Sequence, residues 1–363
     1  MNKKVLVMHG DGIGPEVTRQ GLKVLNAVAP QAGLVLDLED TLIGGAAYDE
    51  TGSFLPSESL NKAKQADAIL FGAVGGPKWA KLDGSETPEK GLLNLRKELD
   101  LFANLRPATV FSELVEASTL KQEVVEGTDL MVIRELTGGI YFGEPRGSIE
   151  VQGRKGSRNT MVYMEDEVER IIRVGFDMAG KRRNKLTSVD KSNVLDVSKM
   201  WRSIAERLAS EYPGVELDHL YVDAAAMELI RDPRQFDTIV TGNLFGDILS
   251  DEASMLTGSI GMLPSASIGS EFALYEPIHG SAPDIAGQDK ANPLASILSV
   301  GMMFRYTFGM PQIDEAIHST VNSLLSKYRT PDIMVPGKTP VGCEEMGDMM
   351  LQELEQTQAI PAA

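Results

Sequence analysis

The chain has 363 residues, 42% of them hydrophobic, a formal net charge of −17 and a single cysteine, Cys343. That length and apolar content support a full core and, as a soft prior, two domains of about 150 residues or more, while the charge argues against a nucleic-acid binder and requires local arginines to capture any anionic substrate. One cysteine excludes an internal disulfide and favours a reducing, cytoplasmic setting; no apolar run approaches ~18 residues, so no membrane span is expected, and the apolar stretch before His9 is too short for a signal-peptide core.

Strands and helices alternate along the chain. Lys4 to Met8 reads as a short buried strand, Gly10 to Gly14 as a turn, and Pro15-Glu16 as a helix start. Val17, Gly21, Val24, Leu25 and Val28 then recur at helical spacing. Asp67 to Val74 is a second strand, Leu92 to Leu101 a helix and Leu130 to Leu136 a strand. Gly138 to Thr160 is rich in Gly, Arg and Thr and poor in helix signals, which suggests a projecting hairpin arm. Met164 to Ala179 is an amphipathic helix opened by Glu165, Asp166 and Glu167 and striped by Val168, Ile171, Ile172 and Phe176. Leu186 to Asp190 and Thr238 to Thr241 are further strands. The alternation predicts an α/β architecture with helices covering a sheet. With no repeat and no low-complexity linker, two domains are expected to share the sheet or exchange chain segments.

Two runs invite functional readings that the residues do not support. Lys181-Arg-Arg-Asn-Lys185 resembles a nucleic-acid patch, yet basic residues after a helix C-terminus are explained by its dipole. Gly10-Asp-Gly12-Ile-Gly14-Pro15 imitates a dinucleotide fingerprint with Asp37 and Asp40 behind it, but that pattern requires glycine where Pro15 stands. The turn still leaves its backbone open to close approach.

Chemistry is concentrated elsewhere. Thr241 to Asp251 reads as a strand end, a glycine turn and a helix, with Asp247 and Asp251 four residues apart on one face. Two carboxylates so placed repel unless a cation lies between them, and hard oxygen donors suit Mg²⁺ or Mn²⁺. The plainer alternative is a helix N-terminal acid followed by a solvated one. Asp223 opens another helix after Leu220-Tyr-Val222 and is a third candidate. Arg96, Arg106 and Arg134 can each clamp a carboxylate or form a surface ion pair. Tyr141, among glycines, reads as a proton donor or an interface residue; Lys191, at a strand end, as a desolvated base or an exposed charge.

Gly10-Asp-Gly-Ile-Gly-Pro-Glu16, Asn104-Leu-Arg-Pro107, Arg134-Glu-Leu-Thr-Gly-Gly-Ile-Tyr141-Phe-Gly143, Asp190-Lys191-Ser-Asn193, Gly242-Asn-Leu-Phe-Gly-Asp247 and His279-Gly-Ser-Ala-Pro-Asp284-Ile-Ala-Gly287 occur in this order. Together they resemble the isocitrate/isopropylmalate family of β-decarboxylating hydroxyacid dehydrogenases over nearly the whole chain. The resemblance implies an α/β fold that is not a Rossmann fold: two domains, residues 1–103 plus 253–363 and residues 104–252, share a mixed sheet and enclose a cleft. It implies a homodimer joined through the second domain and its arm at 138–160, with Lys191, Asn193 and Asp223 reaching into the partner's active site.

The same resemblance implies the roles. Arg96, Arg106 and Arg134 would bind the carboxylates of a small dicarboxylate substrate, and Asp223, Asp247 and Asp251 would hold Mg²⁺ or Mn²⁺ as a Lewis acid. Lys191 would act as base at the hydroxyl, through Asp223 or water, and Tyr141 would protonate carbon 3 after decarboxylation. NAD would bind to the loop from His279 to Asn292, including Gly280, Ser281, Ala282, Pro283, Asp284 and Ile285. Asp284 would accept the ribose hydroxyls and repel the 2′-phosphate of NADP; NADP-using relatives carry lysine and tyrosine at the positions of Asp284 and Ile285. Gly75, Gly76, Pro77 and Lys78, continuing towards Pro88, and Glu89 would flank the nicotinamide. Leu92 and Leu93, a turn before Arg96, point to a buried isopropyl group, worth ~1.5–3 kcal/mol, unless they only face the core. The expected reaction is therefore NAD-dependent oxidative decarboxylation of 3-isopropylmalate. A tartrate or D-malate dehydrogenase of the same family and a catalytically idle NAD-binding subunit are the alternatives; intact Tyr141, Lys191 and the aspartates argue against the second.

Overall fold

The computed structural model describes residues 1–80 and 86–357. Twelve of its strands are β1 (Asn2–Gly10), β2 (Val35–Asp40), β3 (Ala68–Ala73), β4 (Ala103–Thr109), β5 (Asp129–Glu135), β6 (Gly147–Val151), β7 (Arg154–Arg158), β8 (Lys185–Asp190), β9 (Glu216–Tyr221), β10 (Thr238–Thr241), β11 (Pro264–Ile268) and β12 (Ala273–Pro277). The α-helices are α1 (Gly14–Gln31), α2 (Gly44–Thr51), α3 (Ser57–Ala63), α4 (Pro88–Glu98), α5 (Gln122–Val125), α6 (Glu165–Gly180), α7 (Asp196–Ala209), α8 (Val222–Arg231), α9 (Asn243–Ser254), α10 (Leu294–Tyr306), α11 (Pro311–Leu325) and α12 (Cys343–Thr357). The α/β class and mixed pairing expected from the sequence are both present. None of these helices is long and apolar enough to cross a membrane.

The chain forms two compact units. Unit 1 comprises Met1–Leu101, Phe111–Thr119 and the chain from Thr257 onward; unit 2 comprises Phe102–Val110 and Leu120–Leu256. In unit 1 the strand order is β2-β1-β3-β12-β11, parallel except for the β11–β12 pair. Strand β3 is buried along its whole length, as a strand covered on both faces must be. Helix α10 is buried from Leu294 to Phe304 and packs against α1, α11, β11 and β12. Its lack of a polar face reflects that position.

In unit 2 the order is β4-β5-β10-β8-β9, with β4 antiparallel to β5 and the rest parallel. Helix α6 buries Val168, Ile171, Ile172 and Phe176, the stripe expected of it, against this sheet. The Glu167 carboxylate accepts the Met164 N–H at 2.8 Å and caps its first turn. Strands β6 and β7 form an antiparallel ribbon closed by Gln152 and Gly153, both at positive φ, as a two-residue hairpin turn requires.

The basic run after α6 also has partners in the sheet. Arg182 Nε bonds Asp237 at 2.8 Å, and Arg182 also lies 3.1 Å from Asp129. Arg183 donates its N–H to Asp237 at 2.8 Å and a guanidinium N–H to the Asp129 carbonyl at 2.9 Å. These arginines fasten the end of α6 to the entries of β5 and β10.

Candidate active site

Antiparallel pairing of β4 with β5 sets Asn104 opposite Arg134 and Arg106 opposite Val132. Opposed residues, and residues two apart on one strand, share a sheet face, so Arg106, Asn104 and Arg134 project together. Both arginines are buried, and both are satisfied by partners on α9 and β4. Arg134 donates Nε and Nη2 to Asn243 Oδ1 at 3.0 and 2.8 Å and Nη1 to Asp247 Oδ1. Arg106 donates Nε to Asn104 Oδ1 and Nη1 to Ser250 Oγ, each at 2.6 Å, and Nη1 lies 3.5 Å from Asp251 and 3.8 Å from Asp247.

Helix α9 can lie this close to β5 because of Gly246. A Cβ there would come within 2.7 Å of the Arg134 side chain. The helix then presents Asp247 and Asp251 on one side, as their spacing predicts. Tyr141, closing the short helical turn Gly139–Tyr141, donates its hydroxyl to Asp247 Oδ2 at 2.8 Å. The Arg134 guanidinium lies 5.8 Å from the Tyr141 ring centre. Burial, then the bond to Asp247, pushes the Tyr141 phenol up, so it keeps its proton at neutral pH. Burial also raises the Asp251 carboxyl; Arg106 opposes this and the neighbouring Asp247 charge adds to it. The two guanidiniums suit a bound dicarboxylate, and the two carboxylates crowded beside them offer hard oxygen donors to a cation.

Asp223 is not part of this cluster within one chain: no group of three or more acidic, His or Cys side chains suited to a metal exists among the described residues. Instead, Asp223 at the start of α8 accepts from Lys191 Nζ at 2.5 Å, and this bond lowers its carboxyl below the usual range. Asp190, buried beside Lys191, is held by Arg202 Nε and Nη2 at 2.9 and 3.0 Å. Asn193 is exposed on the following turn.

The residues expected at the cofactor lie in unit 1. Asp11 organises part of this region: its buried carboxylate accepts the N–H groups of Gly45, Ala46 and Gly75 at 2.8, 2.8 and 2.9 Å. Gly75, at φ +117°, faces Glu89 in the first turn of α4; a Cβ there would come within 2.6 Å of Glu89 Oε1. Gly76 and Pro77 follow, and Lys78 bonds Asp49 at 2.5 Å. The continuation of this segment through 81–85 lies outside the described residues. The glycine turn before α1 packs on the loop beginning at His279: Ile13 N–H bonds the Ser281 carbonyl at 2.8 Å, and Gly12 leaves no room for a Cβ beside it. The close approach of that turn is thus made to protein backbone.

Within the loop, Gly280 and Ala282 flank Ser281, and Pro283 and Asp284 are exposed with Ile285 half-buried. Gln288 Nε2 bonds the Asp284 carbonyl at 2.6 Å. Asn292 donates to Asp332 at 3.1 Å. His279 is buried, with Nδ1 2.9 Å from the Gly280 carbonyl oxygen and Nε2 without a partner among the described residues. That orphaned ring nitrogen and the exposed Asp284 fit a ligand with hydroxyl and base edges. Arg96 forms a buried pair with Glu276 at 2.6 Å on the end of β12. Leu92 is half-buried against the cluster that contains Leu6, Phe71 and Leu95.

Asp11, Asn243 and Glu276 were assigned no role from sequence. Asp11 and Asn243 stand inside motifs already singled out, which was the available signal; Glu276 had none.

The family model described as isocitrate/isopropylmalate dehydrogenase matches residues 4–350. A 3-isopropylmalate dehydrogenase of Aquifex aeolicus (strain VF5) is 56% identical over 354 residues, covering 97% of each chain. Another from Synechococcus sp. (strain JA-2-3B'a(2-13)) is 58% identical over 98% of this chain and 97% of its own. The crystal structure of isocitrate dehydrogenase from Methylococcus capsulatus superimposes with a TM-score of 0.85 at 33% identity, covering 98% of this chain and all of that one. With arginines, paired aspartates and a tyrosine gathered on one sheet and helix in the order of the family's motifs, the chain belongs to the isocitrate/isopropylmalate dehydrogenase family.

Proposed function

We propose that this protein oxidatively decarboxylates (2R,3S)-3-isopropylmalate to 4-methyl-2-oxopentanoate and CO₂ with NAD, a step of leucine biosynthesis, as a cytoplasmic homodimer. The observation that carries the reading is the convergence of Arg106, Arg134, Tyr141, Asp247 and Asp251 in unit 2. The relatives' shared activity and the apolar Leu92 select the substrate.

Arg106 and Arg134 bind the malate carboxylates, and burial keeps both guanidiniums oriented before substrate arrives. Arg96, tethered by Glu276, keeps its expected carboxylate role. Asp247 and Asp251, with Asp223 of a second copy, would hold Mg²⁺ or Mn²⁺, which would supply Lewis acidity, and bound NAD would supply the hydride acceptor. Lys191 takes the hydroxyl proton, relayed through the Asp223 carboxylate it touches. Tyr141 holds its proton until CO₂ has left and then gives it to carbon 3. Asp284, with His279 and Asn292 in the same loop, would hold the adenosine end of NAD, and Gly75, Lys78 and Glu89 its nicotinamide end. The exposed β6–β7 ribbon and the exposed apolar side chains Met227 and Ile230 on α8 and Ile248 on α9 support dimerisation through unit 2. An isolated two-stranded ribbon is marginal in water and gains stability from a partner.

The test is direct. Protein with Mg²⁺, NAD and 3-isopropylmalate should form NADH, measured in parallel with isocitrate, D-malate and tartrate. No signal from 3-isopropylmalate beside fast turnover of D-malate would sink the substrate assignment. Sedimentation at the assay concentration should show a dimer.

A further inference from the structure

Tyr141 and Asp247 sit on different elements, so something must set the distance between them. Helix α9 begins at Asn243, and its N-cap, Gly242, has no side chain with which to cap the first N–H groups. Tyr163 supplies the missing acceptor: its hydroxyl oxygen takes the Asn243 N–H at 2.8 Å. Burial, and after it the nearby Glu135 carboxylate, pushes the Tyr163 phenol up, so the hydroxyl keeps its proton.

Glu135 is fully buried and accepts from Thr137 N–H and Oγ1 at 2.8 and 3.0 Å and from Gly138 N–H at 2.9 Å. It therefore folds the backbone of 135–138 around itself. The Tyr163 ring then lies against that backbone. A Cβ on Gly138 would come 2.6 Å from the ring, one on Gly139 2.6 Å from the hydroxyl, and one on Gly242 3.2 Å from it. Asn243 closes the circuit from the other side. Its Nδ2 donates to the carbonyls of Leu136 and Gly138, each at 3.1 Å, while its Oδ1 holds Arg134. Tyr141 follows Gly139 by two residues, and Asp247 follows Asn243 by one helical turn. Tyr163 is hydrogen-bonded to neither.

We propose that Tyr163, braced by Glu135, is a positioning residue: by pinning the turn that carries Tyr141 to the first turn of the helix that carries Asp247, it sets the geometry of proton delivery. This rests on the roles given to Tyr141 and Asp247 above. Tyr163→Phe keeps the ring and removes only the hydroxyl. We expect kcat for 3-isopropylmalate to fall about 10-fold, the scale of a small misplacement of a catalytic group, with KM changed less than about twofold.

The decisive measurement is the same substitution in a Tyr141→Phe background, because effects exerted through one group are not additive. There Tyr163→Phe should lower kcat by less than about twofold. An equal fold loss in both backgrounds, or a loss carried by KM, would overturn the proposal and leave Tyr163 a purely structural residue. Gly242→Ala provides a second variant that retains every hydrogen-bonding group. Its Cβ displaces the Tyr163 hydroxyl by a few tenths of an ångström, so kcat should fall a few-fold, again only when Tyr141 is present; an unchanged kcat would overturn the proposal even if Tyr163→Phe does not fold. Failure of the underlying reading looks different: wild-type protein forms no NADH from 3-isopropylmalate, or Tyr141→Phe alone turns over at the wild-type rate, and either result removes both.

Discussion

Tyr141→Phe separates the two halves of the proposed reaction. The hydroxyl donates to Asp247 Oδ2 at 2.8 Å, and burial with that bond keeps the proton on the phenol. Removing it deletes a positioned general acid, a contribution of about 10²–10⁴-fold, or ~3–5 kcal/mol of barrier. Asp247 stays anchored because Arg134 and Arg106 still face its Oδ1, and the phenyl ring keeps its place beside Arg134. Global stability should therefore fall by only ~1 kcal/mol, the net value of one hydrogen bond. The assay uses 3-isopropylmalate deuterated at carbon 2. If protonation of carbon 3 becomes limiting, the isotope effect on kcat falls towards unity while kcat drops. Equal loss of hydride transfer and decarboxylation, with the isotope effect retained or enlarged, would refute the proton-donor role.

Replacing Asp284 by Lys together with Ile285 by Tyr should shift preference towards NADP, read as the ratio of kcat/KM for the two cofactors; an unchanged ratio would remove Asp284 from cofactor choice. Glu276→Ala leaves the buried Arg96 guanidinium without its carboxylate and should cost about 3–5 kcal/mol in denaturant unfolding, whereas a loss below ~1 kcal/mol would show the pair to be solvated. Mg²⁺ at about 100 times its dissociation constant should stabilise the wild-type dimer by ~2.7 kcal/mol; Asp251→Asn should abolish that shift, and a shift retained in full would place the ion elsewhere. Burial lowers the imidazole pKa of His279 and, with help from Arg202, that of His219. Their folded values lie below the unfolded value of ~6.5, so the folded state binds fewer protons. Stability is full above that value and is lost as the pH falls from it towards the folded values. Thermal melts across that window should show a shallower decline for His219→Asn, and an identical slope would count against the mechanism.

The amino-acid pattern by itself determined much that is local. Apolar periodicity located β3, β5 and α6, because a strand buried on both faces or a one-sided helix leaves its period in the chain. The four-residue spacing of Asp247 and Asp251 placed both carboxylates on one side of α9, and the order of motifs pointed to the family. What it could not determine were partners distant in sequence. Arg96 meets Glu276 across 180 residues and Arg134 meets Asn243 across 109, separations at which no period carries information. Lys181 to Lys185 read as dipole compensation because Asp129 and Asp237 approach only when β5 pairs with β10. Likewise, Tyr163 stands in none of the chain's motifs, and only folding brings the bare N-terminus of α9 against it. Side-chain direction follows from local geometry, but which buried donor finds which acceptor is decided by packing, and that is where the candidate site acquires its rigidity.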